Sequence, residues 1–175
     1  MNMLLDFQSN IPVNDDKLVK RNRLYKKIEE SLAGNKSFLL ISAPAGYGKT
    51  TLISGWLQEK DEYKAWFSVG ENSTTPVTFF TGIITAMQKI DNKFCNGTKN
   101  MLKMPSLPGV ESLTASLIEE LKLINKDIII VIDDFHLINS DYINNFLEMF
   151  IKFCPKNAYL IILSRKDLPL MLNKY

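Results

Sequence analysis

An α/β domain with a mainly parallel central sheet, covered by helices on both faces, is the class this 175-residue sequence predicts. Three observations carry the prediction. Four short apolar runs occur, at Phe38 to Ser42, Lys64 to Val69, Asp127 to Ile132 and Ala158 to Leu163. Amphipathic stretches of helical period separate them, and this alternation is the pattern of strands joined by crossover helices. Between the first run and the helix-like Thr51 to Gln58 stands a loop bearing two glycines, Ala43-Pro44-Ala45-Gly46-Tyr47-Gly48-Lys49-Thr50. With 46% hydrophobic and 23% charged residues, the chain has the composition of one globular domain with a sizeable core.

The first 16 residues are mixed, and Asn10-Ile11-Pro12 discourages helix, so an extended arm lying against a domain of residues 17–175 is expected. A helix is expected within Asp16 to Leu32, where Leu18, Val19, Leu24, Ile28 and Leu32 form a stripe and Ala33-Gly34-Asn35 supplies a stop. After the second strand, Thr75 and Pro76 read as an N-cap and first-turn pair opening a helix with a stripe of Val77, Phe80, Ile84, Met87 and Ile90. Leu113, Leu117, Leu121 and Ile124 mark the next helix. Tyr142, Ile143, Phe146, Leu147, Phe150 and Ile151 mark the last, opened by Ser140 and closed before Pro155. The segment from Asn92 to Gly109, with Gly97, Pro105 and Pro108, has little periodicity and is expected to be a mobile loop. There is no internal repeat.

A net charge of +2 is too small to imply a nucleic-acid surface, and the local cluster Lys17, Lys20, Arg21, Arg23, Lys26 and Lys27 reads as a solvated helix face. The two cysteines, Cys95 and Cys154, lack metal or redox spacing, which suits a reducing cytosol. No stretch approaches the roughly 18 apolar residues of a membrane span, so a soluble, cytoplasmic protein is expected.

The glycine-bearing loop carries the chemistry. A strand, this loop and a helix, in that order, form a P-loop, in which backbone N–H groups close around a polyphosphate only where side chains are absent or small. Ala45, Gly46 and Gly48 meet that condition. Lys49 then supplies an ammonium to the β- and γ-phosphates, and the Thr50 hydroxyl a ligand to Mg²⁺. Ala43 stands where the pattern usually has glycine, so that turn must form without positive φ. The apolar run Ile128 to Ile132 ends on Asp133 and Asp134, the way a Walker B strand reads: the first acid on Mg²⁺, the second orienting or deprotonating an attacking water. Two acids that merely end a strand are the alternative, and the upstream P-loop favours the metal reading. Ser164-Arg165 closes the last strand, where an arginine either senses a γ-phosphate or is an ordinary surface residue. His136, the one histidine, has no ligand set around it and reads as structural before catalytic. No serine has the flanking glycines of a nucleophile elbow.

Several phrases together resemble one family. They are Leu18-Val19-Lys20-Arg21, the P-loop with its continuation Thr51-Leu52-Ile53-Ser54-Gly55-Trp56, Ala65-Trp66-Phe67-Ser68, Ile132-Asp133-Asp134-Phe135-His136-Leu137-Ile138, Leu163-Ser164-Arg165 and Leu168-Pro169. In this order and spacing, from about residue 18 to the end, the chain resembles the N-terminal ATPase module of MalT-like LuxR-type regulators, which are signal-transduction ATPases with numerous domains. The resemblance implies a three-layer P-loop NTPase fold, truncated after the sensor-arginine strand, with that strand lying between the P-loop strand and the Asp133 strand. It implies ATP or ADP with Mg²⁺ as cofactors, with Leu18 and Val19 lining the adenine pocket, Arg21 close to the nucleotide, and Tyr47 and Thr51 in the phosphate-binding phrase.

It further implies an inducer, self-association and DNA binding in longer relatives, through winged-helix, helical-repeat and helix-turn-helix regions absent from these 175 residues. The chain is therefore expected to be an incomplete module that binds nucleotide, hydrolyses it slowly if at all, and binds neither DNA nor membrane by itself. Two rival readings share the P-loop: a small-molecule kinase, and a non-catalytic interaction module stabilised by nucleotide.

Overall fold

The computed structural model describes residues 3–13, 20–33 and 37–168. Its centre is an all-parallel sheet in the order β1 (Phe38–Ser42), β4 (Ala158–Ser164), β3 (Ile128–Asp133) and β2 (Tyr63–Ser68). Each strand lies within one residue of its expected bounds. The sequence dictates which strands are inner: β3 is buried at every position and β4 at all but Tyr159. Because successive side chains of a strand point to opposite faces, Ile128, Ile130 and Ile132 enter one core cluster while Ile129 and Val131 enter the other.

Helices α4 (Pro76–Gln88), α6 (Val110–Lys122) and α7 (Asp141–Phe153) bury their apolar stripes in the first cluster. Edge-to-face rings knit it together, with Phe79 meeting Phe67, Phe80, Phe135 and Phe146 at 5.5–6.4 Å between centroids. Helices α2 (Asn22–Leu32) and α3 (Lys49–Gln58) cover the second cluster, packing Tyr25, Ile28, Ile53 and Trp56 against Trp66, Val131 and Ile161. The sheet is thus a middle layer between two helical ones, as expected. Among the described residues, no helix is long and apolar enough to cross a membrane.

Four local expectations are corrected. The arm is not extended over its first part: Met3–Gln8 forms a helix, α1, with Leu5 buried. Pro12 restricts only the residue before it, so the chain can turn helical four residues upstream. Against the domain α1 is fastened by the Ser9 hydroxyl, which donates to Leu5 O and Gly82 O, and by Lys89 paired with Asp6. Helix α2 starts at Asn22, with Lys20 and Arg21 outside it and residues 14–19 outside the described range. Val77 is 43% exposed rather than core, its place in the stripe taken by Phe79 and Ile83.

The segment expected to be a mobile loop, Asn92 to Gly109, contains a helix. Residues Asn96–Met101 form helix α5, anchored by a carboxylate from another helix. Glu120 on α6 accepts from Gly97 N at 2.8 Å, from Thr98 N at 2.9 Å and from Thr98 Oγ1 at 2.6 Å. The two N–H groups among these donors belong to the first helical turn and have no partner within their own helix. Periodicity in the segment could not show a cap delivered from 22 residues away.

Candidate functional site

Parallel strands bring all their C-terminal ends to one edge, so Ser42, Ser164, Asp133 and Ser68 form a row there, paired Ser42 to Ser164 and Ser68 to Asp133. This edge is where open α/β sheets bind ligands. The loop after β1 runs from Ala43 to Gly48 and passes directly into α3 at Lys49. Its curvature depends on two residues in the left-handed region, Gly46 at φ +82° and Gly48 at φ +74°. Ala43 is not in that region, so the departure from glycine costs nothing.

Ala45, Gly46 and Tyr47 are exposed at the top of the loop. Lys49 Nζ, inside its curve, donates to Ala43 O at 2.6 Å and Pro44 O at 3.1 Å. One turn into α3, Thr51 is half-buried and its carbonyl accepts from Ser54 Oγ. Arg21, just ahead of α2, reaches the same loop. Its Nη1 stands 3.5 Å from Tyr47 O, and its Nη2 is the atom nearest a Cβ built on Gly48, at 3.6 Å.

Across from the loop stands Asp133, only 3% exposed. Its Oδ2 accepts from Thr50 Oγ1 at 2.7 Å and its Oδ1 from Asp134 N at 2.8 Å. Burial pushes the Asp133 carboxyl above its ordinary range, while these two hydrogen bonds and the Lys49 charge pull it back. A nearby cation would relieve that burial cost. The chemistry of the donors suits Mg²⁺: one hydroxyl and one carboxylate, both hard oxygens, with the remaining positions left to water and phosphate. Among the described residues no group of three or more His, Cys, Asp or Glu could hold a metal by itself.

Asp134 is turned by a left-handed backbone, φ +53°, into the short 3-10 turn Phe135–Leu137. Its Oδ1 meets Arg165 Nη2 at 3.4 Å and lies 3.7 Å from His136 Nδ1. Burial lowers His136 below its ordinary value, with the Asp134 charge opposing. The sequence-level signals therefore converge on one edge: Lys49, Thr50, Asp133, Asp134 and Arg165 share it, with Arg21 alongside. Leu18 and Val19 lie outside the described residues. Sequence reasoning missed Ser164, which is 1% exposed. Its Oγ donates to Lys166 O at 2.5 Å and accepts from Lys166 N at 3.2 Å, closing the turn that presents Arg165. A serine at a strand end was the available signal.

Comparison with known proteins agrees with this geometry. Residues 30–172 match the family described as AAA domain. Two proteins called HTH-type transcriptional regulator MalT, from two strains of Klebsiella pneumoniae, are each 36% identical over 163 residues, 93% of this chain. The chain spans only 18% of the length of those relatives. Among solved structures, Cdc6p from Pyrobaculum aerophilum superposes over 99% of this chain and 46% of its own, with TM-score 0.58 and 14% identity. The Drosophila ORC bound to DNA does so over 92% of this chain and 42% of its own, with TM-score 0.52 and 14% identity. At that identity the likeness is one of fold. With a P-loop facing an acid-tipped strand across one intervening strand, and a match covering most of its length, the chain belongs to the AAA domain family, with MalT regulators among its relatives.

Proposed function

We propose that this chain is the ATP- and ADP-binding switch module of a cytoplasmic bacterial transcription regulator of the MalT-like LuxR type. The observation that carries the reading is the facing pair Thr50 and Asp133, hydrogen-bonded at 2.7 Å beside a loop whose lysine donates to the loop carbonyls Ala43 O and Pro44 O. In this reading the loop N–H groups and Lys49 bind the β- and γ-phosphates, and Lys49 exchanges Ala43 O and Pro44 O for phosphate oxygens. Thr50 and Asp133 hold Mg²⁺, which supplies charge neutralisation on the phosphates. Arg21 borders the nucleotide, and Leu18 and Val19 line the adenine pocket.

Arg165 gives the module a means of distinguishing ATP from ADP. It sits 3.4 Å from Asp134, a partner with which it makes one exposed, weak contact. A γ-phosphate offers it a stronger charge-assisted bond. Once Arg165 turns to that phosphate, Asp134 is free to orient a water for slow hydrolysis, which resets the switch. A ligand shifts such an equilibrium only by its differential affinity for two states, and Arg165 provides the difference. Inducer sensing, self-association and DNA binding belong to the longer protein in this proposal.

The test compares ATP and ADP affinities, by calorimetry with Mg²⁺, in the parent and in Arg165→Ala. The expected result is a preference for ATP over ADP that shrinks by about tenfold in the variant, one lost charge-assisted contact. An unchanged ATP-to-ADP ratio contradicts the sensing role. Acceptor-dependent ADP release far above the water-only rate would replace the switch with a kinase.

A further inference from the structure

Helix α4 carries two apolar features on different flanks, and neither takes part in the nucleotide site. On one flank, α4 and α5 enclose an open groove of about 160 Å³ lined by Val77, Thr81, Ile84, Thr85 and Leu102, with Lys99 and Lys103 at its border. Both threonine hydroxyls are already used, donating to Val77 O at 2.6 Å and Thr81 O at 2.7 Å. The groove therefore offers a ligand apolar surface and cationic edges, with no carboxylate among its lining residues.

On the other flank lies α1, held at Gly82 and Lys89, roughly a third of a turn around α4 from the groove at about 100° per residue. Leu5 faces inward, while Met3 and Phe7, four residues apart and so on one helix face, are 77% and 71% exposed. Leu4, three residues before Phe7 and 45% exposed, joins them in one contiguous apolar patch, the kind of surface that marks an interaction site.

We propose that the α1 face of one copy of this chain seats in the α4–α5 groove of the next, Phe7 filling the groove in a head-to-tail contact. Three observations fit. A dry cavity of about 150 Å³ holds a benzene ring, so the groove volume suits the Phe7 side chain. Residues 3–13 carry one charge, Asp6, and no cation, so nothing in the inserted segment repels Lys99 and Lys103. The two features are different patches of one chain, which makes the contact heterologous and capable of continuing from copy to copy. A six-residue helix covers less than the roughly 800 Å² per partner of a standard interface, so the isolated contact is weak and gains from repetition or tethering.

The contact gives the self-association in the proposed function a surface, but it is testable without nucleotide. Sedimentation velocity of the chain over roughly 10 µM to 1 mM is expected to show a weight-average coefficient that rises with concentration. Phe7→Asp removes the insert and leaves the groove; Thr81→Arg blocks the groove and leaves the insert. Each variant alone should sediment as a monomer throughout the range, and an equimolar mixture should recover dimers but nothing larger. A monomeric parent, undiminished association of either variant, or a mixture that stays monomeric overturns the inference. Unchanged thermal melting shows that each variant folds. Unchanged nucleotide affinity in both keeps this result separate from the nucleotide reading.

Discussion

Asp133→Asn turns the burial of one carboxylate into a stability measurement. The side chain is 3% exposed, and its carboxyl is held above its ordinary value of 3.8 by burial. The substitution keeps the size and both hydrogen bonds. Asn Oδ1 can accept from Asp134 N, and Asn Nδ2 can donate to the Thr50 hydroxyl, which accepts as readily as it donates. What changes is the charge. A buried ionised group that is only partly compensated typically costs on the order of 1 kcal/mol or more. The nucleotide-free variant should therefore be more stable than the parent at neutral pH, by about 2–4 °C in Tm for a domain of this size.

The pH dependence has a fixed sign. A raised folded-state pKa means that the folded protein binds more protons than the unfolded chain between the two values, so stability falls as pH rises through that interval. The Tm advantage of Asp133→Asn should thus be small at the acid end of the carboxylate range, open as pH rises through the folded value, and then stay level. Differential scanning calorimetry of both proteins across that range reads it directly. In the same variant the magnesium dependence of ATP binding should largely vanish. A variant less stable than the parent at neutral pH, or a Tm gap that closes as pH rises, refutes the reasoning.

Two further substitutions probe the frame around the site. Glu120→Ala leaves the buried Thr98 N–H without its acceptor, exposes Gly97 N–H to water and weakens Thr98 Oγ1, a loss of about 3 kcal/mol that should lower Tm by about 6–12 °C and speed proteolysis within residues 92–109. Wild-type melting would mean that α5 does not depend on that carboxylate. Gly82→Ala places a methyl 2.2 Å from Phe67 Cε2 and 2.4 Å from its Cζ, inside a ring cluster with no room to yield. Overpacking of about 1–3 kcal/mol outweighs the gain in helix propensity of up to about 1 kcal/mol, so Tm should fall by a few degrees. A rise in Tm would show that α4 and β2 can separate freely.

Strands were legible because this sheet is covered on both faces. An inner parallel strand must be apolar at every position, and Ile128 to Ile132 announces that without reference to any neighbour. The loop was legible because Gly46 and Gly48 meet a local backbone requirement, φ +82° and +74°, that few other residues satisfy. What escaped depended on partners remote in sequence. Helix α5 takes its cap from Glu120, α1 takes its support from Gly82 and Lys89, and Val77 faces outward because Phe79 and Phe80 already fill the space toward Phe146. The same limit applies within the site. Asp134 was visible as an acid, but its left-handed backbone and its contact with Arg165 arise only when β3 and β4 are paired.

The most direct measurement is calorimetric titration of MgATP into the parent and into Lys49→Ala. Lys49 Nζ already has two backbone carbonyl partners, so the exchange for phosphate gains the difference between an ammonium bonded to neutral carbonyls and one bonded to anionic oxygens. At about 1.5–3 kcal/mol that is roughly a ten- to hundredfold loss of affinity on substitution. One MgATP per chain is expected in the parent and a loss of that size in the variant, with melting in the absence of nucleotide little changed. Equal affinity in the two proteins would contradict the nucleotide reading.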